Sequence, residues 1–331
     1  MDTTLFANDS TKIARLRTIV QECHNWKVAK AAKLNPNDLA NFSQNTANRA
    51  AVVTQLNDQA MQLLRYYVFK NRKANAMPNV PGPGGLRSLQ GGHTQERAVY
   101  AHNKATGNKT ANFPGGSLVE ANMAAYRNNA AGAVQAFGPP PANVQAILAN
   151  NAKDFDNLTP GEFDVLANHF TGHELAGQFP VHYVDKTERV NNNMLVVVNN
   201  HLRNSTGGPY TTQNLDMWAL DKYGNLMVAN ANAMTNGNQY NHSSLNAGQN
   251  VICAGTCVIQ NGIIMEIDNQ SGHYKPTRLN LQTALKVLVN DVGAPFAVNC
   301  IVRDFAPPQR RFVNYQAFLL NLNAAGTANF P

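Results

Sequence analysis

The chain reads as an α+β protein: an N-terminal helical hairpin, a helical middle region and a C-terminal mixed, mainly antiparallel β domain. Three observations lead there. Apolar residues recur at three- and four-residue steps over the first 70 positions, the period of a helix face. A Pro/Gly-rich stretch then breaks every period. Beyond Pro180 the period falls towards two, and Asn261-Gly262, a strong hairpin signal, sits between two apolar runs.

Taken in order, Asp9-Ser10-Thr11 is an N-cap cluster. Behind it Ile13, Leu16, Ile19/Val20, Cys23 and Trp26 mark one face of a helix reaching about Lys33, which Asn35-Pro36-Asn37 stops. A second helix is expected over 46–70, with Val52/Val53, Leu56, Ala60, Leu63 and Tyr67 inward; the two form a basic hairpin over 1–75. Residues 76–116, with Pro81-Gly82-Pro83-Gly84-Gly85 near their start, read as a linker. Residues 117–178 read as helical: Ser117 opens a helix to about Ala136, Pro139-Pro140-Pro141 ends it, and Thr159-Pro160-Gly161-Glu162 opens another. Residues 179–331 form the β-rich domain. Met194 to Val198, Leu215 to Ala219, Leu226 to Val228, Val251 to Ile259, Ile263 to Ile267 and Phe296 to Val302 are its strands, Leu279 to Leu288 a helix, and Arg311 to Leu322 a last amphipathic segment.

Charged residues make up only 14% of the chain, against an average of about 25%. Of the net charge of +7, residues 1–111 carry 15 Lys and Arg against 6 Asp and Glu, and residues 112–331 carry 12 against 14. The basic hairpin is therefore the part suited to an acidic protein or an anionic surface; no nucleic-acid module is present. Four cysteines do not make a disulfide framework. No apolar run reaches membrane-spanning length and Met1-Asp2-Thr3 opens no signal peptide, so synthesis in the cytoplasm is expected, with export by a signal-independent secretion system left open. His169-x-x-x-His173-Glu174, with His182 beyond, has ligand spacing but lacks a zinc-peptidase glutamate, and no metal site is expected.

The chemistry concentrates between Asn241 and Thr277. There the order His242-Ser243-Ser244, Gly248, Ala254-Gly255, Asn261-Gly262-Ile263, Ser271-Gly272-His273-Tyr274, Pro276-Thr277 resembles a block in plant IQ-motif-containing calmodulin-binding proteins, and also in bacterial secreted-effector or polymorphic-toxin proteins. The likeness spans at most Asp216 to Val302. It implies an effector- or toxin-type domain, or a calmodulin-binding one, and it adds nothing to a thiol reading of Cys257.

Several chemistries fit the residue types. Group transfer of the ADP-ribosyltransferase kind, with NAD as its cofactor, would use His242, Tyr274 and Glu266, with Ser243, Ser244 and His273 beside them and Ser271, Gly272 and Lys275 holding substrate. A Cys/His deamidase or hydrolase would use Cys257 with His273 as its base. A non-catalytic protein would instead bind calmodulin or another partner through the helix over 11–33, where Val20-Gln21 opens an IQ-like run, Lys30 closes it, and Arg15, Trp26 and Lys27 supply charge and an aromatic anchor. The bland alternatives are a capped turn at His242-Ser243, a plug at Tyr274, a small core residue at Cys257, and a Trp26 packed inside the hairpin. His242 and His273 are expected at one end of a sheet, sharing a pocket.

Overall fold

A computed structural model describes residues 9–31, 44–90, 119–153, 158–159, 161–162, 165–166, 169, 184–230, 234–235 and 238–320. It is an α+β protein with its helices first and a mixed, mostly antiparallel sheet after them. Helices α1 (Asp9–Ala31) and α2 (Gln44–Ala74) form the hairpin. Asp9 at the start of α1 pairs with Lys70 near the end of α2, 3.0 Å apart.

The inward face of α2 differs from the hydropathy reading. Val52 is 62% exposed and Leu56 is exposed, whereas Ala60, Met61, Leu64 and Val68 are buried with Ile13, Leu16 and Val20 of α1. Polar residues complete that face. Asn57 donates from Nδ2 to the Thr206 carbonyl (2.7 Å), and Arg72 donates to the Gly224 carbonyl (3.1 Å). Arg65 bonds the Asn191 carbonyl. Buried polar groups are invisible to an apolar-stripe criterion, and this is where it slips.

The middle region holds α3 (Val119–Asn128), α4 (Ala130–Phe137) and α5 (Ala142–Ala149). One continuous helix over 117–136 was expected; Asn129 interrupts it, its Oδ1 accepting from Gly132 N at 3.1 Å as a new N-cap. Met123, Val144, Leu148 and Leu166 form a separate small cluster.

From Lys186 the chain makes one turn of helix, α6 (Lys186–Glu188), then a π-helical turn to Asn193. Strands β1 (Val196–Val198) and β2 (His201–Arg203) make a small hairpin. Next come β3 (Asp216–Asp221), β4 (Leu226–Asn230), and the two-residue strands β5 (Met234–Thr235) and β6 (Asn238–Gln239). A single helical turn, α7 (His242–Leu245), leads into the long pair β7 (Val251–Gln260) and β8 (Ile263–Asp268). Helix α8 (Arg278–Lys286) continues as a π-helical turn to Val292, before β9 (Phe296–Asp304), β10 (Arg310–Phe312) and α9 (Tyr315–Leu320). The expected final amphipathic segment is thus a short edge strand and a helix.

The main sheet has six strands in the order β10-β9-β8-β7-β3-β4. Every pairing is antiparallel except β8 with β9, which the α8 crossover makes parallel. Asn261 and Gly262 turn the β7–β8 hairpin with φ of 48° and 77°, the left-handed pair that an Asn-Gly type I′ turn requires. One apolar cluster joins the sheet to α8 and α9 through Trp218, Cys257, Ile259, Leu281, Leu285 and Phe318. A second, with Met217, Ala219, Met227, Leu245, Ala254 and Tyr274, forms another core against the strands.

Part of the expected linker is built in. Arg87 exchanges two backbone hydrogen bonds with Val251 (2.7 and 2.9 Å), extending β7. Asn280 of α8 donates to the Gly84 and Gly85 carbonyls, each at 3.0 Å. Proline and glycine suit this segment because it must turn closely over α8. Residues 91–116 lie outside the described residues.

The hairpin shares its core with the β region, since Val190, Met194, Val196 and Val198 are buried in the cluster of α1 and α2. This argues against the free separability that the composition break suggests. Deleting residues 1–75 should therefore lower the melting temperature of the remaining chain and raise its binding of an apolar dye, through exposure of those four side chains. An unchanged, cooperative melt would restore the separable module.

Candidate functional site

The two turns of the stretch 241–277 are held by local hydrogen bonds. The Asn241 N–H donates to Ser244 Oγ at 3.0 Å, starting α7. Ala247 and Gly248, both at positive φ, close the turn, and the Gly248 N–H returns to the Ser243 carbonyl (2.9 Å). Ser243 and Ser244 are fully buried in this turn. The second turn forms alike: the Lys275 N–H bonds the Ser271 carbonyl at 2.8 Å, and the Tyr274 N–H bonds Ser271 Oγ at 3.3 Å. Gly272 and Lys275 are exposed at its outer edge.

The two turns meet over β7. The ring centroids of His242 and His273 lie 6.4 Å apart. His242 is buried and donates from Nε2 to the Gly255 carbonyl at 2.8 Å; a carbonyl only accepts, so Nε2 carries the proton. Burial, and secondarily the neighbouring His273, push its pKa down to about 4 against the pull of the Gly255 bond. His273 is half-buried, and its carbonyl accepts from the Gln90 N–H at 2.8 Å. Tyr274 is wholly buried, and its hydroxyl donates to the Gln249 carbonyl at 2.9 Å. Arg87 closes the far side, donating from Nε to the Tyr274 carbonyl (3.1 Å) and from Nη2 to that of Lys275 (2.8 Å).

Beneath them is a polar node. Asp268 accepts from Thr256 N (2.6 Å), Gln270 N (2.8 Å) and Thr256 Oγ1 (2.5 Å). Its backbone and carboxylate press so closely on Gly255 that a Cβ there has no space. Trp218 Nε1 is shared between the Thr256 and Asp268 carbonyls, 3.1 Å from each. Burial raises the Asp268 pKa to about 6, although those hydrogen bonds favour the ionised form. Sequence reasoning passed over Asp268, Trp218 and Arg87. Asp268-Asn269 just after an alternating strand is a turn signal that could have drawn attention; nothing in the Pro/Gly-rich segment marks Arg87 as a clamp.

Two of the expected residues lie elsewhere. Cys257, offered as a nucleophile, is 2% exposed in the cluster facing α8, whereas Tyr274 and Leu245, which flank the histidines, belong to the other cluster. Burial holds its thiol well above the ordinary range, the reverse of what an attacking thiolate requires. Glu266 is committed to Arg303, 2.7 Å from Nε, and so is not placed to serve the His242–Tyr274 group. Among the described residues no set of three or more His, Cys, Asp or Glu is arranged to hold a metal ion. His173, Glu174 and His182 lie outside those residues. No helix among them is long and apolar enough to cross a membrane.

The other candidate element is α1. Arg15 is exposed, and Val20 is fully buried in the core shared with β1. Gln21 Oε1 accepts from Arg203 Nη2 of β2 at 2.9 Å, and its Nε2 donates to Asn25 Oδ1 at 2.6 Å. Trp26 and Lys27 are half-buried, Val28 is 53% exposed, and the Lys30 side chain is outside the described ones.

The opposed shifts at the polar node yield a test by pH. His242 has a folded-state pKa below its ordinary value, so its contribution is complete above about 6.5 and is lost as pH falls towards 4. Asp268 is raised, so its contribution is complete below about 4 and is lost as pH rises through 6. Across pH 4–6.5 the two offset one another. In denaturant unfolding, the stability gap between wild type and Asp268→Asn should widen on acidification, and that between wild type and His242→Gln should narrow.

The comparisons with known proteins meet this region directly. Residues 191–281 match the family described as IQ motif-containing protein middle domain, from the π-helical turn before β1 into α8. No curated protein and no solved structure matches. The match corresponds to the IQ-motif half of the resemblance seen in the sequence, while the bacterial effector half has no counterpart in it, so that residues 191–281 of this chain are similar to the middle domain of IQ motif-containing proteins.

Proposed function

We propose that the chain is a non-catalytic partner-binding protein, whose α1 helix is offered to calmodulin or a calmodulin-like protein and is held in store by the region 191–281. The observation that carries this reading is the docking of the IQ-like run on the family-matched region. Val20 packs with Val196 and Val198, and Gln21 is bonded to Arg203. The inner half of the run is thus spoken for, while Val28 and the edge of Trp26 remain accessible for first contact. A basic amphipathic helix with an aromatic anchor is the general form of a calmodulin target. The environment of the 241–277 stretch supports the same reading. His242 and Tyr274 are buried and bonded to backbone carbonyls, which suits residues that tie loops to a sheet rather than residues that meet a substrate.

Storage has a quantitative consequence. A partner that needs the whole helix must first undock it, so apparent affinity falls by the fraction of molecules already undocked. In calorimetric titrations with calmodulin, with and without calcium, a peptide of residues 9–31 should bind at least about tenfold more tightly than the whole chain. Arg203→Met should bring the whole chain closer to the peptide, and Trp26→Ala should weaken both. Absence of binding by the peptide in either calcium condition would overturn the reading; equal affinities for peptide and chain would overturn the storage part alone.

A further inference from the structure

A cleft of about 550 Å³ lies between the outer half of α1 and the tips of two hairpins, the β1–β2 turn at Asn199 and the β7–β8 turn at Asn261. Its size is that of a small-molecule site. Its hairpin walls are tight turns. Asn199, Asn200, Asn261 and Gly262 all adopt positive φ in their tight turns, and a Cβ on Gly262 would strike His201 and the Leu202 backbone.

The lining is one-sided in charge. Among the described residues its ionisable groups are His24 of α1 with His201 and Arg203 of β2, and no described carboxylate lines it. Arg203 is 1% exposed and, among the described residues, donates to neutral acceptors, the carbonyls of Val198 and Gly207 and the amide of Gln21. No described carboxylate therefore stands against its buried charge, although a guanidinium carries five donors. His201 donates from Nδ1 to the Asn261 carbonyl (2.7 Å), a bond that fixes the ring and leaves Nε2 for another partner. His24 makes no hydrogen bond among the described residues. The remaining polar lining is amide, from Gln21, Asn25, Asn199 and Asn261. A bare metal cation is a poor match beside an uncompensated arginine; an anion supplies what the cleft lacks.

We propose that this cleft binds a small organic anion, a carboxylate or phosphate group on a polar body. The anionic group sits between His24, His201 and Arg203, and the amides bond the body. The ligand bridges α1 to both hairpins. The proposal does not depend on calmodulin, because it rests on the cleft alone. Binding is linked to protons: besides its desolvation, His24 is held below its ordinary pKa by Arg203, His201 and Lys27, and an anion among these groups restores the charged imidazolium. Affinity accordingly rises as pH falls from 7.5 to 6.

The test is titration calorimetry on the full chain with citrate, glucose 6-phosphate and inorganic phosphate as probes, at pH 7.5 and 6.0. One-site binding of citrate or the sugar phosphate with a Kd of about 1 mM or tighter, strengthening at pH 6.0, is expected; which of the two binds identifies the anionic group. His24→Gln should weaken it about tenfold with an unchanged melting curve, since His24 makes no hydrogen bond to a described residue. Arg203→Lys keeps the charge but not the fork, and should weaken it as well; a folding defect in that variant leaves the His24→Gln result to decide. Absence of binding by every probe up to about 10 mM, or binding indifferent to His24→Gln, overturns the proposal. Inorganic phosphate binding as tightly as the organic probes overturns the role given to the amide lining.

Discussion

The closure of Asp268 on β7 is the contact around which the 241–277 stretch is arranged. The carboxylate takes the Thr256 N–H and hydroxyl, and the Asp268 carbonyl shares the Trp218 indole with that of Thr256. Because Asp268 presses against the Gly255 backbone, that position has to be glycine. The buried Gly255 carbonyl is what His242 reaches. A buried carboxyl and a buried imidazole are each costly to charge, and here they attach to the two ends of one peptide of β7, Asp268 to the Thr256 N–H and His242 to the Gly255 carbonyl. Their burial shifts them in opposite directions, so their contributions to stability change in opposite senses with pH.

The same logic extends along the seam between the helical hairpin and the sheet. Hydrogen bonds from α2 that cross it are made by Asn57, Arg65 and Arg72, all donors, to carbonyls in loops and turns of the β region. Turns present unpaired carbonyls, and long cationic side chains on a helix can reach them without close backbone approach. Apolar burial supplies most of the stabilisation, while these donors set the position of the hairpin over β1 and β2. Among the described residues the basic segment thus docks on a region of slightly acidic balance with Arg65 and Arg72 answered by carbonyl dipoles rather than by a row of ion pairs. Arg203 repeats the arrangement from the β side, with Gln21 as its acceptor. The IQ-like helix is therefore part of the structure as well as a candidate ligand for a partner. A helix in that double role is suited to exchange, since the partner's contacts replace internal ones.

Much of the fold was legible in the residues themselves. Heptad-like spacing announced α1 and α2, alternation announced β3, β4, β7 and β8, and Asn261-Gly262 announced their tightest turn, because backbone preference and side-chain period are local properties. The meeting of His242 with His273 was also legible, since both flank one hairpin whose register its turn sets. The chemistry of those residues was not. Whether Tyr274 faces solvent or core, whether Glu266 is free or bonded to Arg303, and which sheet face receives Cys257 all depend on strands distant in sequence.

By itself, then, the sequence determined the class of the protein, its strand and helix content and the neighbourhood of its histidine-bearing turns, through steric and hydropathic rules that act over a few residues. Tertiary structure alone decided that Arg87, inside a Pro/Gly-rich segment, clamps the Tyr274 turn, and that the polar face of α2 points inward. It alone decided that His24 and His201, far apart in the chain, line one cleft. The reason is the same in each case: a buried polar side chain is stable only where a distant partner meets it, and no local pattern records where that partner will be.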